Sequence, residues 1–367
     1  MGAITCNMHE FLEMGVKEGA SDWHIREGKN VFIRLNGDLL EIEGSLTTKE
    51  FLEATIKQIC TEKDCHYYDE TGDADFALQE EGVGRFRVNL HKQRGMHALT
   101  LRHIKSKVPD VKKMNLPEIL LRIAENHNGI VLVTGATGSG KSTTMAAMID
   151  HMNQTMNRHI ITIEDPIEYV FEDKNCVIQQ REVGLDVSTF DSALIHSLRQ
   201  DPDVIVVGEI RNRDTFETAL KAAQTGHLVV GTLHTQSASA TISRILDLYK
   251  SEEREAVLKS LSQSLRASIC QRLLQRVDGK GVVPANEILT GVPIVQKLLF
   301  EGRIDKLIAA IEANEKEGMM TFNQCFIKLV NKGIITREVA FESSDSPEAL
   351  RMNLQGIFLN SAGGIIN

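Results

Sequence analysis

The sequence has no long apolar run, no paired cysteines and no surplus of basic residues, and each absence excludes a class of protein. No stretch approaches the about 18 apolar residues of a membrane-spanning helix, and the start lacks the basic and apolar blocks of a signal peptide. The six cysteines are scattered without a CxxC pair, which predicts reduced cytoplasmic thiols instead of a zinc ribbon or a disulfide framework. The net charge of −9 argues against nucleic acid as the main partner, because phosphate contacts need a basic surface.

The 367 residues suffice for two domains, and the hydrophobic pattern changes between them. The first hundred residues indicate an α+β domain. "HEFLEMGVKEG" and "TKEFLEATIKQI" predict amphipathic helices, the second with Leu52, Ile56 and Ile59 on one face, and "VFIRLNGDLLEIE" predicts a hairpin turning at Asn36-Gly37. The polar stretch "SKVPDVKKMNLP" with its two prolines predicts a linker. We therefore expect an N-terminal domain over 1–105, a linker over 106–117 and a C-terminal domain over 118–367.

A second hairpin, "RFRVNLHKQRGMHALTLRH", raises a question about charge. A two-residue turn at Arg94-Gly95 would place Arg87 directly opposite Arg102. Like charges in that position repel by about a few tenths of a kcal/mol. Either both arginines extend into water, or the turn is longer and the register differs, or the pair has a function.

Beyond the linker, short apolar strands alternate with helices. "GIVLVT", "HIITIE", "VIVVGE" and "HLVVGTLHT" are β-branched and apolar nearly throughout, which predicts a parallel sheet covered on both faces and an α/β fold. The last hundred residues are predicted to be mostly helical. The helical prediction rests on one apolar stripe, formed by Leu258, Leu261, Leu265, Ile269 and Leu273.

A phosphate-binding loop lies between the first of these strands and a good helix former. "GATGSGKST" carries three glycines, of which the first and last are five residues apart, followed by Lys141 and Ser142. Glycines let backbone N–H groups turn towards phosphates, Lys141 would reach the β- and γ-phosphates, and the Ser142 hydroxyl would ligate Mg²⁺. The predicted ATP-binding residues are Gly135, Thr137, Gly138, Ser139, Gly140, Lys141, Ser142 and Thr143.

Nucleotide hydrolysis also needs a group that activates water, and the strand ends supply candidates. Glu164 and Asp165 follow one strand and Glu209 follows another, so that the carboxylates are expected at the ligand-binding edge of the sheet. Each could instead be an acidic helix cap. His234 ends a further strand that begins at His227, and a structural role remains the alternative for a lone histidine. Ordinary helicases and GTPases have a magnesium-binding Asp at the end of this strand, whereas this sequence has Gly208 in that place.

These blocks resemble the secretion ATPases of type II secretion and type IV pili, and among them the pilus retraction ATPases PilT and PilU. Four blocks carry the resemblance: "GATGSGKST", "IEDPIEY", "RQDPDVIVVGEIR" and "GHLVVGTLHT". "GASDWHI" is similar to the family's Ser-Asp-Leu-His-Ile, with Trp23 in place of leucine. The resemblance implies a smaller PAS-like N-terminal domain and a RecA-like P-loop ATPase core in each subunit of a homohexameric ring. ATP would bind between these two domains and would be hydrolysed with the help of Mg²⁺.

The resemblance also implies roles for individual residues and partners for the chain. Glu209 would be the catalytic glutamate, and Glu164 would support water or magnesium. His227 and His234 would form the family's histidine box, with His234 nearer the γ-phosphate. Arg87 and Arg102, fifteen residues apart, would contact the γ-phosphate. Three supporting residues are His227, Asp165 and Arg199. The expected location is the cytoplasm, at the inner face of the cytoplasmic membrane, with only peripheral membrane contact. The expected partner is an inner-membrane pilus platform protein, and no nucleic acid is expected to bind.

Two further features concern the branch within this family. Extension motors carry an extra N-terminal domain and a four-cysteine zinc site, which this sequence does not show. The retraction branch typically has Ala-Ile-Arg-Asn-Leu-Ile-Arg after its Gly-x-Pro turn, whereas the segment 294–300 reads "IVQKLLF". The main interpretation is a motor that retracts type IV pili in twitching motility. The alternatives are a PilU-like ring that assists a second retraction ATPase and, more remotely, a RecA-like nucleic-acid translocase.

Overall fold

The computed structural model describes residues 7–35, 37–104, 108, 111, 113–355, 358–359 and 365–366. The chain divides into two compact units. The first comprises Met1–Lys107 together with Glu168–Val170, and the second comprises Val108–Ile167 and Phe171–Asn367. Among the described residues, no helix combines the length and the apolar character that crossing a membrane requires.

The first unit is a six-stranded antiparallel sheet with three helices, in agreement with the expected α+β architecture. The strand order is β3-β2-β1-β6-β5-β4. The elements are α1 (Met8–Glu18), β1 (Asp22–Arg26), β2 (Phe32–Leu35), β3 (Asp38–Glu41), α2 (Lys49–Ile59), α3 (Glu62–Thr71), β4 (Asp73–Glu80), β5 (Gly84–Gln93) and β6 (Met96–Ile104).

The local patterns of this unit predicted most of its elements. Helices α1 and α2 form where the amphipathic stretches lie, and Leu52 and Ile56 are buried in the core with Ile59 packed against them. The first hairpin pairs Leu35 with Asp38 across a two-residue turn, as predicted, although Asn36 lies outside the described residues. Helix α3 was not anticipated, and its reciprocal capping box with Thr61 is the sequence signal that indicates it.

The hairpin of β5 and β6 has the predicted register. Arg94 and Gly95 both have positive φ, 52° and 79°, as a two-residue turn of this kind requires. The ladder places Arg87 directly opposite Arg102. The predicted register is therefore confirmed, and two like charges do face each other across this hairpin.

Trp23, which stands where the similar Ser-Asp-Leu-His-Ile motif has leucine, packs against α1. The indole is fully buried, and its Nε1 donates a hydrogen bond to the Phe11 carbonyl over 3.0 Å. A Cβ on Gly15 would lie only 2.4 Å from the indole ring. The ring edge of Trp23 also meets Phe86 with centroids 5.4 Å apart. Gly15 therefore leaves the space that the indole of Trp23 occupies.

The second unit is built on a seven-stranded sheet in the order β13-β12-β7-β11-β10-β8-β9, in which only β13 runs antiparallel to its neighbour. Its strands are β7 (Gly129–Thr134), β8 (His159–Glu164), β9 (Val177–Glu182), β10 (Val204–Val207), β11 (Leu228–Leu233), β12 (Leu265–Gln275) and β13 (Val282–Thr290). The helices are α4 (Ile119–Ala124), α5 (Lys141–Thr155), α6 (Phe190–Ser197), α7 (Arg213–Gln224), α8 (Ala238–Leu246), α9 (Arg254–Ser264), α10 (Pro293–Phe300), α11 (Leu307–Ala313), α12 (Phe322–Asn331), α13 (Arg337–Ser343) and α14 (Pro347–Leu354). A short pair, β14 (Phe358–Leu359) and β15 (Ile365–Ile366), follows.

Helices cover both faces of this sheet, as the apolar strands predicted. In β7, Val131 and Val133 belong to one hydrophobic cluster with α5 and α12, and Ile130 and Leu132 belong to another with α7 and α9. All six residues of β7 are buried. Such a strand needs apolar side chains on both faces, which explains its continuous apolar sequence.

The prediction of one helix along the stripe from Leu258 to Leu273 is wrong. Helix α9 ends at Ser264, and the chain from Leu265 onwards is β12, a strand that pairs in parallel with β7. Leu265, Ile269 and Leu273 recur every four residues, which fits one face of a helix. In the strand they do not share a face, because a β-bulge between Leu265 and Ala267 places Leu265 in the cluster with α9 and Ile269 in the cluster with α5. Pairing with β7 therefore decided the structure here.

The predicted linker contains the division between the two units. Ser106, Lys107, Pro109, Asp110 and Lys112 lie outside the described residues. From Val108 onwards the chain belongs to the second unit. Leu116, at the end of the predicted linker, is buried in the second unit's core, so that this end is a packed part of that unit.

Candidate active site

The glycines of the phosphate loop adopt backbone conformations that other residues rarely accept. The loop leaves β7 at Gly135, with φ 144°, and passes Gly138 and Gly140, with φ 78° and 84°, before α5 begins at Lys141. A Cβ on Gly135 would lie 2.5 Å from the Gln271 carbonyl oxygen. The loop therefore follows β12 closely, and its path requires glycine for steric reasons as well as for backbone freedom.

The polar groups of this loop suit a phosphate ligand. The Lys141 Nζ donates to the carbonyls of Gly135 and Ala136 over 2.9 and 3.0 Å, which bends the side chain back over the loop. The Ser139 Oγ is buried and has no hydrogen-bond partner within the described part of the chain. Ser142 and Thr143 lie in the first turn of α5, where backbone N–H groups and the helix dipole favour an anion. Thr137 is exposed on the loop.

Three predicted residues follow neighbouring strands at the same edge of the sheet. His234 comes after β11, Glu209 comes two residues after β10, and Glu164 ends β8. These strands are adjacent and parallel, and β11 also neighbours β7, which leads into the phosphate loop. The sheet thus brings the phosphate loop and these side chains to one edge.

Glu209 lies beside two basic side chains. Its carboxylate accepts a hydrogen bond from the Arg211 Nη2 over 2.8 Å and lies 3.3 Å from the His234 Nε2. The hydrogen bond from Arg211 lowers the pKa of Glu209 below its usual value, and the charges of Arg211 and Lys141 act in the same direction against the effect of partial burial. Glu209 is therefore an ionised carboxylate at neutral pH.

Glu164 is oriented by its own strand and by the next one. Its Oε1 accepts hydrogen bonds from the Thr162 hydroxyl over 2.6 Å and from the Gln180 side-chain amide over 3.2 Å. Asp165 is exposed beside it and precedes Pro166 in a cis peptide bond. The end of β8 therefore presents an oriented carboxylate at Glu164 and an exposed carboxylate at Asp165.

The close approach of β10 to β8 explains why glycine occupies position 208. The Gly208 N–H donates to the Ile163 carbonyl over 2.7 Å. A Cβ at this position would lie 3.0 Å from that oxygen and 3.2 Å from the Glu164 Cα. A side chain at position 208 would therefore be tightly packed against the end of β8, and the first acidic side chain after β10 is that of Glu209.

Two predicted supporting residues lie at the other edge of the sheet. His227 precedes β11, and its carbonyl accepts a hydrogen bond from Gly129 at the start of β7. Its Nδ1 is 3.0 Å from the Ala222 carbonyl. Arg199 is exposed and precedes β10. Neither residue is brought to the phosphate loop within the second unit.

The arginine pair of the first unit has a partner that the sequence did not reveal. The Arg102 Nε donates to the Asp22 Oδ1 over 2.7 Å, and Asp22 is buried whereas Arg102 is largely exposed. Burial raises the pKa of Asp22, but hydrogen bonds from Ser21 and Arg102 outweigh it and hold this pKa below its usual value. Arg87 is exposed on the facing strand. The carboxylate of Asp22 offsets the repulsion that the register creates.

A cavity of about 290 Å³ lies beside the phosphate loop in the second unit. Gly140 and Thr143 line one side, and Asn115, Leu116 and Leu273 contribute to the other walls. Asn115 has a positive φ of 57°. Sequence reasoning missed this cavity because it treated residues 113–117 as linker.

A parallel sheet covered on both faces, with a glycine-rich phosphate loop after one strand and an acidic residue after another, defines a P-loop ATPase with a RecA-like core. The chain belongs to the Type II/IV secretion system protein family, whose model matches residues 2–296. It is 43% identical over 339 residues to the type IV pilus retraction ATPase PilT of Pseudomonas aeruginosa, covering 92% of this chain and 98% of that protein.

Two further comparisons agree with this assignment. The chain is 36% identical over 346 residues to the type IV pilus ATPase PilU of Pseudomonas aeruginosa, covering 94% of this chain and 91% of that protein. The crystal structure of the pilus retraction motor PilT with bound ADP superimposes with a TM-score of 0.87 at 42% identity, covering 94% of this chain and 98% of that one. The fold expected from the sequence is confirmed.

Proposed function

We propose that this chain hydrolyses ATP to drive the retraction of type IV pili. The observation that carries the proposal is the joint placement of the Lys141 loop and the Glu209 carboxylate at one edge of the RecA-like sheet. The similarity to PilT over nearly the whole of both chains supports the same activity.

The proposed nucleotide site uses the loop for the phosphates and the neighbouring cavity for the nucleoside. Lys141 leaves the carbonyls of Gly135 and Ala136 for the β- and γ-phosphates, and the N–H groups of the first turn of α5 bind the same oxygens. Ser142 is the residue that would hold Mg²⁺. A Mg²⁺ ion held there would supply positive charge that neutralises the charge developing on the phosphates. The cavity lined by Asn115 and Leu116 has a size suited to a purine nucleoside.

We propose that Glu209 accepts the proton of the attacking water. It is ionised, partly buried and held by Arg211, and the neighbouring His234 keeps its other side oriented. Glu164 orients the water or the metal ligands from the adjacent strand, and Asp165 supports it. For His227 and Arg199 we propose only a supporting role, because both lie at the opposite edge of the sheet.

We propose that Arg87 and Arg102 contact the γ-phosphate and so make the motor sensitive to hydrolysis. Two guanidinium groups held opposite each other gain a favourable partner in a triphosphate and lose it when the phosphate leaves. This differential affinity supplies the free energy for a conformational change. An arginine in this role is worth about a thousandfold or more in rate.

We propose a homohexamer of two-domain subunits, with an N-terminal domain over 1–105 and an ATPase domain over 118–367. The ring would act in the cytoplasm, at the inner face of the cytoplasmic membrane, against an inner-membrane pilus platform protein.

The steady-state ATP turnover of the purified chain, measured together with its native mass, tests this proposal. We expect Mg²⁺-dependent turnover by a particle of six chains and a loss of turnover in Lys141→Ala. A purified chain that binds no ATP would contradict the proposed ATPase function.

The second candidate is an accessory ring that assists another retraction ATPase, and the segment 294–300 in α10 favours it. Val295, Leu298 and Leu299 of this helix are buried and apolar, as in the retraction pattern. Lys297 stands where the pattern has Asn, and Phe300 stands where it has its second Arg. Both side chains are exposed. The surface of the helix has thus changed while its packing has not. In the accessory role, cells lacking this chain would still retract pili, but weakly under load.

A further inference from the structure

The side chain of Gln271 joins the phosphate loop to the strand beside it. Gln271 lies on β12 next to β7 and is almost fully buried. Its Nε2 donates to the Ser139 carbonyl over 2.7 Å. Its Oε1 accepts hydrogen bonds from the Thr144 hydroxyl over 2.7 Å and from the Asn286 Nδ2 over 3.0 Å. One amide thus makes contacts with the loop, with α5 and with β13.

These partners fix which way round the amide lies. A carbonyl oxygen can only accept a hydrogen bond, so the nitrogen of Gln271 must face Ser139. The amide oxygen then faces two donors, one on α5 and one on β13. The side chain therefore has no second orientation that keeps all three hydrogen bonds.

The contact with Ser139 has a consequence for the next peptide group. Because a trans peptide is planar, its C=O and the following N–H point in opposite directions. A donor that holds the Ser139 carbonyl on the β12 side directs the Gly140 N–H away from β12. Gly140 is the last loop residue before α5, and a Cβ on it would lie 2.8 Å from the Gln271 Nε2. The amide and the glycine are thus in direct contact.

We propose that Gln271 is a positioning residue that orients the Ser139–Gly140 peptide and thereby presents the Gly140 N–H to a nucleotide phosphate. The proposal rests on the proposed nucleotide site and adds a residue that lies outside the phosphate-loop motif. An unaided loop would have to order this peptide on binding, at a cost in affinity.

Gln271→Met and Thr144→Val separate positioning from packing. Both replacements preserve approximate shape and remove hydrogen bonds from the same buried network, but only the first removes the contact with Ser139. We expect Gln271→Met to raise the Kd for Mg²⁺-ATP about tenfold, equivalent to about 1.4 kcal/mol, and Thr144→Val to change it by less than about threefold. The melting temperature without nucleotide monitors stability separately.

Gln271→Glu provides a second variant with a readout that packing alone would not change. An ionised carboxylate cannot donate to the Ser139 carbonyl, whereas a protonated one can. We therefore compare the Kd of Gln271→Glu for Mg²⁺-ATP with the wild-type Kd at each pH. The ratio of the two should fall as the pH is lowered. The Gln271→Met ratio should stay constant over that range.

Three results would each overturn the positioning role, two of them from the first pair of variants. One is a Kd for Gln271→Met within twofold of the wild-type value, and the other is an equal rise in Kd for Thr144→Val. A ratio for Gln271→Glu that does not vary with pH would contradict it as well. A wild-type chain that binds no ATP would instead refute the proposed function, so that the two failures are distinguishable.

Discussion

Replacing Glu209 with glutamine tests the proposed chemistry with little change in shape. The Arg211 Nη2 lies 2.8 Å from the Glu209 carboxylate and the His234 Nε2 lies 3.3 Å from it, and glutamine retains an acceptor for either group. The Arg211 side chain is 63% exposed, and an ion pair in such a setting contributes about 0–1 kcal/mol to folding. The variant should therefore remain folded.

The expected effect is on turnover and not on ATP binding. Glutamine cannot accept a proton from water, and loss of a general base reduces turnover by about 10²–10⁴-fold. The loop around Lys141 binds the phosphates through other groups, so the Kd for ATP should stay within about threefold of the wild-type value. Phosphate release and equilibrium binding of ATP measure the two quantities separately.

Glu217→Gln is the matched control. Glu217 is also a glutamate paired with an arginine, its Oε1 lying 2.7 Å from the Arg213 Nε, but it lies on α7 away from the phosphate loop. Its replacement should leave turnover within about twofold of the wild-type value. If Glu209→Gln hydrolyses ATP at a rate within tenfold of wild type while binding ATP normally, Glu209 is not the catalytic base.

Three further predictions follow from the same geometry. Gly208→Ala should lower the free energy of unfolding by about 1–3 kcal/mol in denaturant titrations, because its Cβ would lie 3.0 Å from the Ile163 carbonyl oxygen; unchanged stability would refute the steric explanation. Arg211→Ala removes the hydrogen bond that lowers the pKa of Glu209, so the acid limb of the rate profile should move to higher pH, and an unmoved limb would contradict the assignment. Arg87→Ala and Glu209→Gln subunits, each inactive alone, should regain turnover when mixed if the arginine acts across a subunit boundary, and co-assembled rings without recovery would point to action within one chain.

Local signals in the sequence predicted the hairpin of β5 and β6 in detail. Arg94-Gly95 is a turn in which both residues need positive φ, and the alternating apolar residues fix the register that places Arg87 opposite Arg102. Asp22, which neutralises Arg102, could not be predicted in the same way. It lies 80 residues away in the sequence and meets Arg102 only because β1 pairs with β6.

The second unit shows the same limit at the site. The glycines and Lys141 are recognisable because the phosphate loop is one continuous segment with its own backbone requirements. The strand β12 was mistaken for helix, since apolar residues at every fourth position fit one face of a helix, whereas the pairing with β7 that makes this segment a strand is not local. Gln271 lies on that strand, 132 residues from Ser139, and its role depends on the pairing of β12 with β7.

The central claim is that ATP hydrolysis at Glu209 drives pilus retraction, and the most direct test follows labelled pili in cells lacking this chain. Retraction speed and stall force should recover with the wild-type chain and not with Glu209→Gln, at equal protein levels. Full recovery of both quantities by Glu209→Gln would contradict the account.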